Sequence, residues 1–445
     1  MHPSTRPTSR YRWFVFGVFF VFALIHQSDR LLIGPLTEKI RISFNINDTQ
    51  MGLVSTGALI VGALLYPIWG YLYDRYSRVK LLALASFIWG STTWLSAVVR
   101  TYPSFLVARS STGIDDSSYP GLYSLLADYF GPRVRGIVYG LLQITQPIGY
   151  LIGMILATFL AGTIVLGGVT YTADWRWPFY LTGTLGVLLS VVIVLTVREP
   201  ERGQSEPEMA GLETTTHYRF DWREAKDLFR IPTLIYLYIQ GFFGIFPWNA
   251  ITFWFFAYLE RERGYSGDKI LITMALAVLV LSAGYPIGGA LGDYFFKRTP
   301  RGRILVSVVG VFMGAVLMYI TLNIPVQQEL LFMIMLALTA FFIPFASSNV
   351  LSTIYDVTVP EVRSTANAVE SFLESIGAAL APLMVGFISD RYDLKTAFLV
   401  ICIGTWLLCG LFLVFVARVV PKDIAQLRGL MRQRANHERE LQEAS

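Results

Sequence analysis

The feature that most constrains this chain is a series of long apolar stretches, each about as long as a bilayer is thick. A helix needs roughly 20 apolar residues to cross the hydrocarbon core. Clusters of Gly, Pro and charged residues divide the sequence into twelve stretches of about that length. They cover residues 13–34, 51–73, 79–99, 104–128, 136–162, 177–197, 232–259, 268–292, 304–324, 328–355, 364–389 and 394–418. Because these stretches are continuously apolar rather than alternating, the sequence predicts an all-α integral membrane protein with twelve transmembrane helices.

Composition limits the classes of protein to which this chain can belong. Hydrophobic residues make up 54% of the 445 residues and charged residues only 15%, whereas about 25% of the residues in a soluble domain are charged. A water-soluble fold could not bury this much apolar surface, which excludes soluble enzymes and disordered scaffolds. The chain has four His and two Cys, Cys402 and Cys409. We therefore predict two buried free thiols, no metal site and no cofactor.

The distribution of Lys and Arg predicts the orientation of the helices. If the N-terminus is cytoplasmic, the loops and termini on that side hold 25 of the 36 basic residues and the opposite loops hold 9. Arg30 and Arg109 lie inside spans. Because cytoplasmic loops retain positive charge, we expect both termini in the cytoplasm. The net charge of +5 is then an orientation signal, and we expect no nucleic-acid partner.

The sequence also repeats itself. Segment 66–74 recurs 219 residues later as segment 285–293, with six identical residues at nine positions. A second set recurs at an offset of 228, and its first-half members are Asp128, Pro132, Arg135 and Gly149. Such repeats are typical of transporters that expose a site to each side in turn. We predict two pseudo-symmetric six-helix bundles, at residues 1–197 and 232–418. A cytoplasmic linker at residues 198–231 joins them, and an amphipathic cytoplasmic tail follows at residues 419–445.

A motif after the second apolar stretch resembles a known signature. Residues 70–80 read GYLYDRYSRVK, similar to the Gly-x-x-x-Asp-Arg-x-x-Arg-x-Lys loop of the major facilitator superfamily. The glycine lets helices approach closely, and the acid can accept hydrogen bonds from a neighbouring helix N-terminus. The copy at 289–303 keeps fewer of these residues. The resemblance implies the superfamily fold and a conformational gate, formed by Gly70, Asp74, Arg75, Arg78, Asp293, Arg135 and Arg363.

Within that superfamily, the first half resembles the spinster branch. Residues 26–30 (HQSDR) stand where spinster proteins have Asn-Tyr-x-Asp-Arg, and residues 109–119 (RSSTGIDDSSY) resemble Arg-x-x-x-Gly-x-Gly-Glu-Ala-Ser-Tyr. The resemblance implies transport of lysophospholipids or sphingosine-phosphate-like amphiphiles, in some relatives with proton coupling. Two departures bear on the substrate. Asp115 and Asp116 replace the family's Gly-Glu, and Glu374 stands where the family has a His in helix eleven.

Ionisable side chains at membrane depth mark functional sites, because they are costly unless paired or hydrated. Asp29 and Arg30 lie in the outer half of the first span, while Arg109 and Asp116 share a face of the fourth. We predict a charge network of these four residues, in which protonation of Asp29 or Asp116 releases an arginine to bind an anionic headgroup. Asp115 is a further candidate proton site. Alternatively, Asp29 and Arg109 only tie the first helix to the fourth.

Helix eleven and several polar residues supply further candidates. Glu370 and Glu374 are four residues apart and share a helix face. We expect Glu370 to contact basic residues of the loops and Glu374 to bind a proton or a cation. The residues predicted to contact substrate are Arg30, Arg109, Tyr119, Gln143, Gln146, Gln240 and Asn349. Hydrogen bonds between helices would explain the uncharged ones equally well.

Together these features predict a secondary active transporter. It would move a small amphiphilic or organic solute, anionic or zwitterionic, by alternating access, with protons as the coupling ion. No Walker-type Gly-x-x-x-x-Gly-Lys occurs in the sequence, so ATP-driven pumping by this chain is unsupported. The alternatives are a sugar, drug or carboxylate permease, a passive facilitator, or a non-transporting receptor. We expect a monomer in a bacterial or archaeal plasma membrane, in contact with membrane lipids and with a small molecule or lysolipid as its substrate.

Overall fold

The fold is seen in a computed structural model of the chain. The structure describes residues 9–116, 118–130, 138, 141, 142, 144–161, 163–166, 169–172, 174–200, 228–358 and 363–443. By their contacts the described residues fall into two compact units. The first is drawn from residues 1–217, 252–271 and 382–391, and the second from residues 218–251, 272–381 and 392–445.

Helices account for nearly all of the described chain. In order they are α1 (Ser9–Arg30), α2 (Ile33–Phe44), α3 (Asp48–Arg75), α4 (Arg78–Val98), α5 (Tyr102–Ser111), α6 (Gly113–Asp116), α7 (Tyr119–Tyr129), α8 (Thr145–Leu160), α9 (Trp177–Thr196), α10 (Pro232–Arg261), α11 (Gly267–Phe296), α12 (Gly302–Asn323), α13 (Glu329–Phe342), α14 (Ser347–Val357), α15 (Arg363–Ser389), α16 (Leu394–Phe398) and α17 (Gly404–Glu443). A 3₁₀ turn, Ile343–Phe345, joins α13 to α14, and a π-helical turn, Leu399–Ile403, joins α16 to α17.

These helices confirm the predicted fold class. Ten helical segments of the described chain are long and apolar enough to cross a membrane. Of the twelve predicted spans, the fourth is divided among α5, α6 and α7, and the fifth is represented by α8, which has 16 residues. The number of helical segments is therefore consistent with the twelve predicted transmembrane helices. An antiparallel hairpin of β1 (Thr163–Leu166) and β2 (Val169–Thr172) precedes α9, a short departure from helix that the apolar pattern does not predict.

The fourth predicted span is interrupted for two local reasons. Pro120 has no backbone N–H, and a proline ring clashes with the carbonyl four residues earlier, so α6 ends at Asp116 and α7 begins only at Tyr119. Gly113 starts α6 directly against α3, where a Cβ would clash with the carbonyl oxygen of Ala58 and lie 2.9 Å from its carbonyl carbon. The interruption sets the direction of the acids at positions 115 and 116.

The first predicted span is interrupted as well. α1 ends at Arg30, and the chain continues as α2 from Ile33 to Phe44. Pro35 lies four residues after Leu31, the spacing at which a proline removes a helical hydrogen bond. Asp29 therefore occupies the last turn of α1, beside a break in the helix.

Two helices of the first unit approach each other closely. Gly90 on α4 faces Gly183 and Gly186 on α9, and a Cβ on Gly90 would lie 2.5 Å from the backbone nitrogen of Val187. Small residues allow this kind of backbone approach in membrane proteins. The contact places Trp89, a fully buried side chain of the hydrophobic core, between the helices and α1.

Polar side chains join helices within the second unit. Asn349 on α14 is buried and donates hydrogen bonds to the backbone oxygens of Gly288 and Phe345 at 3.0 and 2.8 Å. This geometry is the interhelical bonding that the sequence left open as an alternative to substrate contact. Asp423 accepts a 2.9 Å hydrogen bond from the backbone N–H of Thr233, which satisfies a donor in the first turn of α10.

The predicted domain boundaries stay predictions. Residues 201–227 of the predicted linker lie outside the described residues. The predicted tail, where described, continues α17 without a break in the helix. Cys402 and Cys409 are buried and not joined in a disulfide.

Candidate functional site

Asp29 is buried at the end of α1, and its carboxylate accepts three hydrogen bonds from neutral side chains. Oδ1 accepts from the hydroxyl of Thr182 at 2.7 Å, while Oδ2 accepts from Trp89 Nε1 and from the hydroxyl of Thr93, each at 3.0 Å. The donors lie on α4 and α9, the two helices that pack closely together. Asp29 therefore ties α1 to both.

Arg109 lies beside this carboxylate, at a distance too long for a hydrogen bond. Its Nη1 is 3.6 Å from Oδ2 of Asp29, and its guanidinium lies 5.2 Å from the centre of the Phe179 ring. The residue is only 5% exposed, and Nη1 has no hydrogen-bond partner among the described residues. Because an unsatisfied buried donor is costly, this nitrogen is suited to an acceptor that arrives with a ligand.

A second cluster surrounds the imidazole of His26, which is 2% exposed. Its Nε2 lies 2.7 Å from Oδ2 of Asp115 and 3.4 Å from Oδ1 of Asp116. Its Nδ1 lies 3.3 Å from the hydroxyl of Tyr119. Ser118 donates a 3.0 Å hydrogen bond to Oδ1 of Asp115. One base and two acids thus share a buried position in the first unit.

The break between α6 and α7 brings these groups together. Ser118, inside the break, donates its backbone N–H to the carbonyl of Asp115 at 2.7 Å. The indole of Trp69 on α3 donates to the carbonyl of Ile114 at 2.6 Å. The four-residue helix α6 is too short to pair its own carbonyl groups, and these two bonds pair two of them. They hold α6 so that both of its acids face His26.

Two proton arrangements fit the geometry around His26. In the neutral ring, Nε2 carries the proton and lies 2.7 Å from Oδ2 of Asp115, while Nδ1 accepts from the hydroxyl of Tyr119. A second proton on Nδ1 makes both ring nitrogens donors, so the Tyr119 hydroxyl must turn and the ring becomes a cation beside two acids. Histidine changes charge near neutral pH more readily than other side chains. The cluster can therefore gain or lose one proton by rearranging its hydrogen bonds.

His26 is the residue of this cluster that sequence reasoning misses. It lies three residues before Asp29, so the two residues share a face of α1, and an isolated ionisable residue in an apolar stretch marks a functional site. These two features are a signal in the sequence by which His26 can be found, although the charged residues singled out above do not include it. Its pairing with Asp115 depends on the interruption of the fourth span, which the apolar pattern does not reveal.

The other predicted residues of the first unit are placed differently. Arg30 is exposed, and its charge lies within electrostatic range of His26. Gln146 on α8 is exposed, and Gln143 lies outside the described residues. The predicted network of four charges is thus arranged as two clusters, one around Asp29 and one around His26. The roles assigned to these residues stay predictions.

In the second unit, two predicted acids lie against α10. Glu370 is 5% exposed and Glu374 is half-buried. A Cβ on Gly241 would lie 3.4 Å from Oε1 of Glu374 and 3.6 Å from Cγ of Glu370. Beside them, Gln240 is buried, and its Oε1 lies 3.4 Å from the thiol of Cys409, which donates to it.

The gate motif of the first unit contains a buried arginine. Arg78 donates to Asp128 at 2.5 Å and to Glu199 at 3.0 Å. Glu199 also accepts from the backbone N–H of Val79 at 2.9 Å and from the hydroxyl of Ser77 at 2.7 Å. Burial raises the pKa of Glu199, but these hydrogen bonds together outweigh burial and leave the pKa below its ordinary value.

The second unit repeats this arrangement with a different arginine. Arg303 pairs with Asp293 at 2.7 Å and also with Asp356. Asp356 is the repeat equivalent of the acid at position 128, which the gate arginine of the first unit contacts. Although the second copy of the motif keeps fewer of its residues, the arginine–acid pair is present in both units.

Among the remaining gate residues, the structure describes the side chain of Arg75 alone. Arg75 is exposed, with its guanidinium 5.1 Å from the centre of the Tyr71 ring. Gly70 and Asp74 lie in α3 and Arg363 begins α15, but their side chains lie outside the described part of the structure, as does all of Arg135. Their gate function stays a prediction.

Comparison with known sequences identifies the family. The major facilitator superfamily model matches residues 18–382. The chain is 28% identical to protein spinster of Drosophila melanogaster over 397 residues, which are 86% of this chain and 62% of that protein. It is 26% identical to protein spinster homolog 1 of Homo sapiens over 388 residues, which are 83% of this chain and 71% of that one. The chain therefore spans less than two thirds of the fly protein.

Comparison with solved structures agrees on the fold. A bacterial homolog of the human lysosomal transporter spinster, in an inward-facing and occupied conformation, aligns with a TM-score of 0.75 at 20% identity, covering 94% of this chain and 97% of that one. A D-xylose–proton symporter aligns with a TM-score of 0.67 at 17% identity, covering 92% and 97%. Family and fold are those of transporters, not of enzymes. The chain belongs to the major facilitator superfamily and resembles its spinster members.

Proposed function

We propose that this protein is a proton-coupled secondary active transporter of a small amphiphilic or organic solute, moved by alternating access. The observation that supports it most directly is the buried cluster in which Nε2 of His26 lies within 3.4 Å of Asp115 and Asp116. Ionisable groups inside an apolar bundle are expensive and persist where function needs their charge. A passive facilitator has no need of a proton-binding cluster.

Arg109 supports an anionic or zwitterionic substrate. Asp29 already accepts three hydrogen bonds from neutral donors, so its carboxylate does not require the arginine. The guanidinium can then turn toward a phosphate or carboxylate, which its planar donors match in a bidentate geometry. Nη1, buried and without a hydrogen-bond partner among the described residues, is the donor for that contact.

One connection between the two clusters runs through Thr112. Thr112 lies between α5, which holds Arg109, and α6, which holds Asp115 and Asp116. Both its backbone N–H, at 3.2 Å, and its hydroxyl, at 2.7 Å, bond to the carbonyl of Arg109. A shift of α6 when the proton count changes is therefore transmitted to the arginine. This connection is the proposed basis of coupling.

The names of similar proteins support a transport function, and one of them supports proton coupling. The spinster-type structure belongs to a homolog of a lysosomal transporter, and the symporter of the same fold moves D-xylose with protons. Lysophospholipids are the first candidates, since they combine an acyl chain with the anionic headgroup that Arg109 could bind. We place the protein in a plasma membrane as a monomer, with both termini in the cytoplasm.

The proposal is tested by flux in proteoliposomes. The wild-type protein should move a fluorescent lysophospholipid roughly tenfold faster across a pH gradient of the favourable sign than without one, a difference of about 1.4 kcal/mol in activation free energy. His26→Gln and Asp116→Asn should abolish most of this dependence, because the cluster can no longer change its proton count. The readout is the ratio of initial rates with and without the gradient.

The matched control is Asp268→Asn, which removes an exposed carboxylate in the first turn of α11. This variant should keep the wild-type ratio. Equal flux with and without a gradient in the wild-type protein would make it a passive facilitator. Gradient-driven flux of a sugar or carboxylate, with no flux of lysolipid, would keep the coupling and change the cargo.

A further inference from the structure

Two arginines of the first unit lie at the same end of its membrane-spanning helices. Arg12 is in the first turn of α1, and Arg198 lies two residues beyond the end of α9. The apolar parts of these two spans begin at Arg10 and end at Thr196, which puts both arginines at the level of the lipid headgroups. On the predicted topology this end faces the cytoplasm, where the leaflet carries anionic lipids.

The hydroxyl of Tyr11 fixes the ends of α1 and α9 to each other. It donates to the carbonyl of Thr196 at 2.8 Å and accepts from the backbone N–H of Arg198 at 2.9 Å. The hydroxyl of Tyr129, at the end of α7, donates to the carbonyl of Arg198. The backbone of Arg198 is therefore held against the start of α1, with the guanidinium carbon 5.8 Å from the centre of the Tyr11 ring.

Neither arginine is paired with an acid that the structure describes. The acids of this region, Asp128 and Glu199, are both held by Arg78, at 2.5 and 3.0 Å. Arg12 is half-buried, with its guanidinium carbon 5.6 Å from the centre of the Phe130 ring. Its Nε is buried and has no hydrogen-bond partner within the described chain. The protein therefore leaves the charge of Arg12 without a counter-ion, a costly arrangement unless an anion approaches from outside.

Exposed aromatic side chains lie next to these cations. Trp13 and Phe14 follow Arg12 in α1 and are 39% and 48% exposed. The Trp13 ring packs edge-on against Phe130, with ring centres 5.1 Å apart, so it shares that ring with Arg12. Tryptophan is enriched at the boundary between headgroups and hydrocarbon. Cations at headgroup level beside exposed aromatic rings are complementary to a phospholipid.

We propose that Arg12 and Arg198 bind the headgroup phosphate of an anionic phospholipid. Its glycerol and acyl chains then lie against Trp13 and Phe14. A guanidinium matches phosphate oxygens in a bidentate geometry, and Arg10, which is exposed, adds a third positive charge. A zwitterionic headgroup also has a phosphate, but these arginines repel its ammonium, so the site prefers an anionic lipid. Neither arginine belongs to the transport site proposed above.

The test compares two lipids that differ in net charge. Binding of radiolabelled dioleoyl phosphatidylglycerol and dioleoyl phosphatidylcholine is measured on the full chain in detergent micelles. The wild-type protein should bind the glycerol lipid at least about tenfold more tightly. The double variant Arg12→Gln/Arg198→Gln should reduce that preference to about twofold or less. Raising the salt concentration from about 0.05 to 0.5 M should also reduce the wild-type preference, because salt screens exposed charges.

Controls separate this site from charge in general and from loss of the fold. Arg100 and Arg391 are exposed and lie at the outer surface on the predicted topology, so Arg100→Gln/Arg391→Gln should keep the wild-type preference. Arg12→Lys/Arg198→Lys retains both charges and should retain most of it. If the double glutamine variant unfolds, Arg198→Gln decides, because it changes an exposed side chain.

Three results would overturn the proposal. The first is a preference that survives in Arg12→Gln/Arg198→Gln. The second is displacement of the lipid by an equal concentration of sn-glycerol 3-phosphate, which would make the site one for a soluble phosphate. The third is loss of the preference in Arg109→Gln, which would put the lipid at the transport site. Gradient-driven flux without any preference for the anionic lipid would refute this site and leave the transport function standing.

Discussion

At the scale of single residues, two aspartates of the first unit illustrate how partners decide the role of a charge. Asp29 accepts hydrogen bonds from three neutral donors at 2.7 to 3.0 Å. Such bonds hold helices together. Asp116 lies 3.4 Å from an imidazole that can itself take up a proton. The first arrangement suits a structural tie, and the second suits a group whose charge changes during transport.

Glu199 gives a prediction about stability and pH. Although burial raises its pKa, the hydrogen bonds from Val79, Ser77 and Arg78 lower it below the ordinary value of 4.5. The ionised carboxylate therefore stabilises the fold at pH values above 4.5, and this contribution is lost as the pH falls through the lower folded pKa. Glu199→Gln should lower the melting temperature by roughly 2–4 °C at pH 7, with a difference that disappears toward pH 3.

The measurement is a thermal melt of both proteins across that pH range. Asp174→Asn is the control, because Asp174 forms an exposed ion pair with Arg176 at 3.1 Å and such pairs contribute little. It should change the melting temperature little at any pH. If the difference in melting temperature between Glu199→Gln and wild type stays constant down to pH 3, the ionised carboxylate of Glu199 does not account for the stabilisation.

At the scale of helices, the apolar pattern predicts which segments cross the membrane but not where they break. Twenty apolar residues have few alternatives to a helix in lipid, so the spans follow from composition. Breaks depend on neighbours: the chain is interrupted near Pro35 and Pro120, yet Pro286 and Pro382 lie inside continuous helices. The site shares this limit, since the pairing of His26 with Asp115 requires a break that Pro120 and the packing of Gly113 against α3 explain together.

The start of α3 provides a prediction at this scale. Its first backbone N–H groups, those of Asp48 and Thr49, donate to the carboxylate of Asp390 at 2.8 Å each. Asn47 caps the next donor, on Gln50, at 2.8 Å. Asp390→Ala leaves two donors unsatisfied and should lower the free energy of unfolding by about 1–2 kcal/mol. Asp390→Asn should cost less, because an amide oxygen still accepts one of these bonds.

Denaturant-induced unfolding of the protein in detergent micelles measures both variants. The informative result is which variant loses more unfolding free energy. An Asn side chain can still cap part of the helix end, whereas an Ala side chain cannot. Equal losses for Asn and Ala would assign the effect of Asp390 to its charge alone. If Asp390→Ala loses no unfolding free energy, water replaces the carboxylate as the acceptor for these N–H groups.

At the scale of the whole molecule, alternating access requires that some contacts break and form again in each cycle. In the proposed transport cycle, we expect the contacts of Arg261 at the end of α10 to be of this kind within the first unit. It donates to both carboxylate oxygens of Asp48 at 2.7 and 3.0 Å and also pairs with Glu38 on α2. Ser389 at the end of α15 donates to the same aspartate at 2.7 Å. On the predicted topology, this network lies at the outer end of the helices.

Arg261→Ala should therefore loosen the outer ends of these helices. Removing the arginine leaves Arg41, which pairs with Glu38 at 2.7 Å and with Asp48 at 3.7 Å, as the remaining cation shared by the two acids. Breaking a buried pair costs about 3–5 kcal/mol, and both this second arginine and the partial exposure of the side chains reduce that cost here. Hydrogen exchange of the first turn of α3 and the last turn of α10 should accelerate at least about tenfold, equivalent to about 1.4 kcal/mol. α9 should keep its wild-type protection, because it takes no part in the network.

Arg176→Ala, which removes an exposed pair, serves as the control and should change exchange at neither end. If exchange at α3 and α10 stays at the wild-type rate in Arg261→Ala, the ion pairs do not hold these ends together, and the barrier to opening lies in the apolar contacts between the helices.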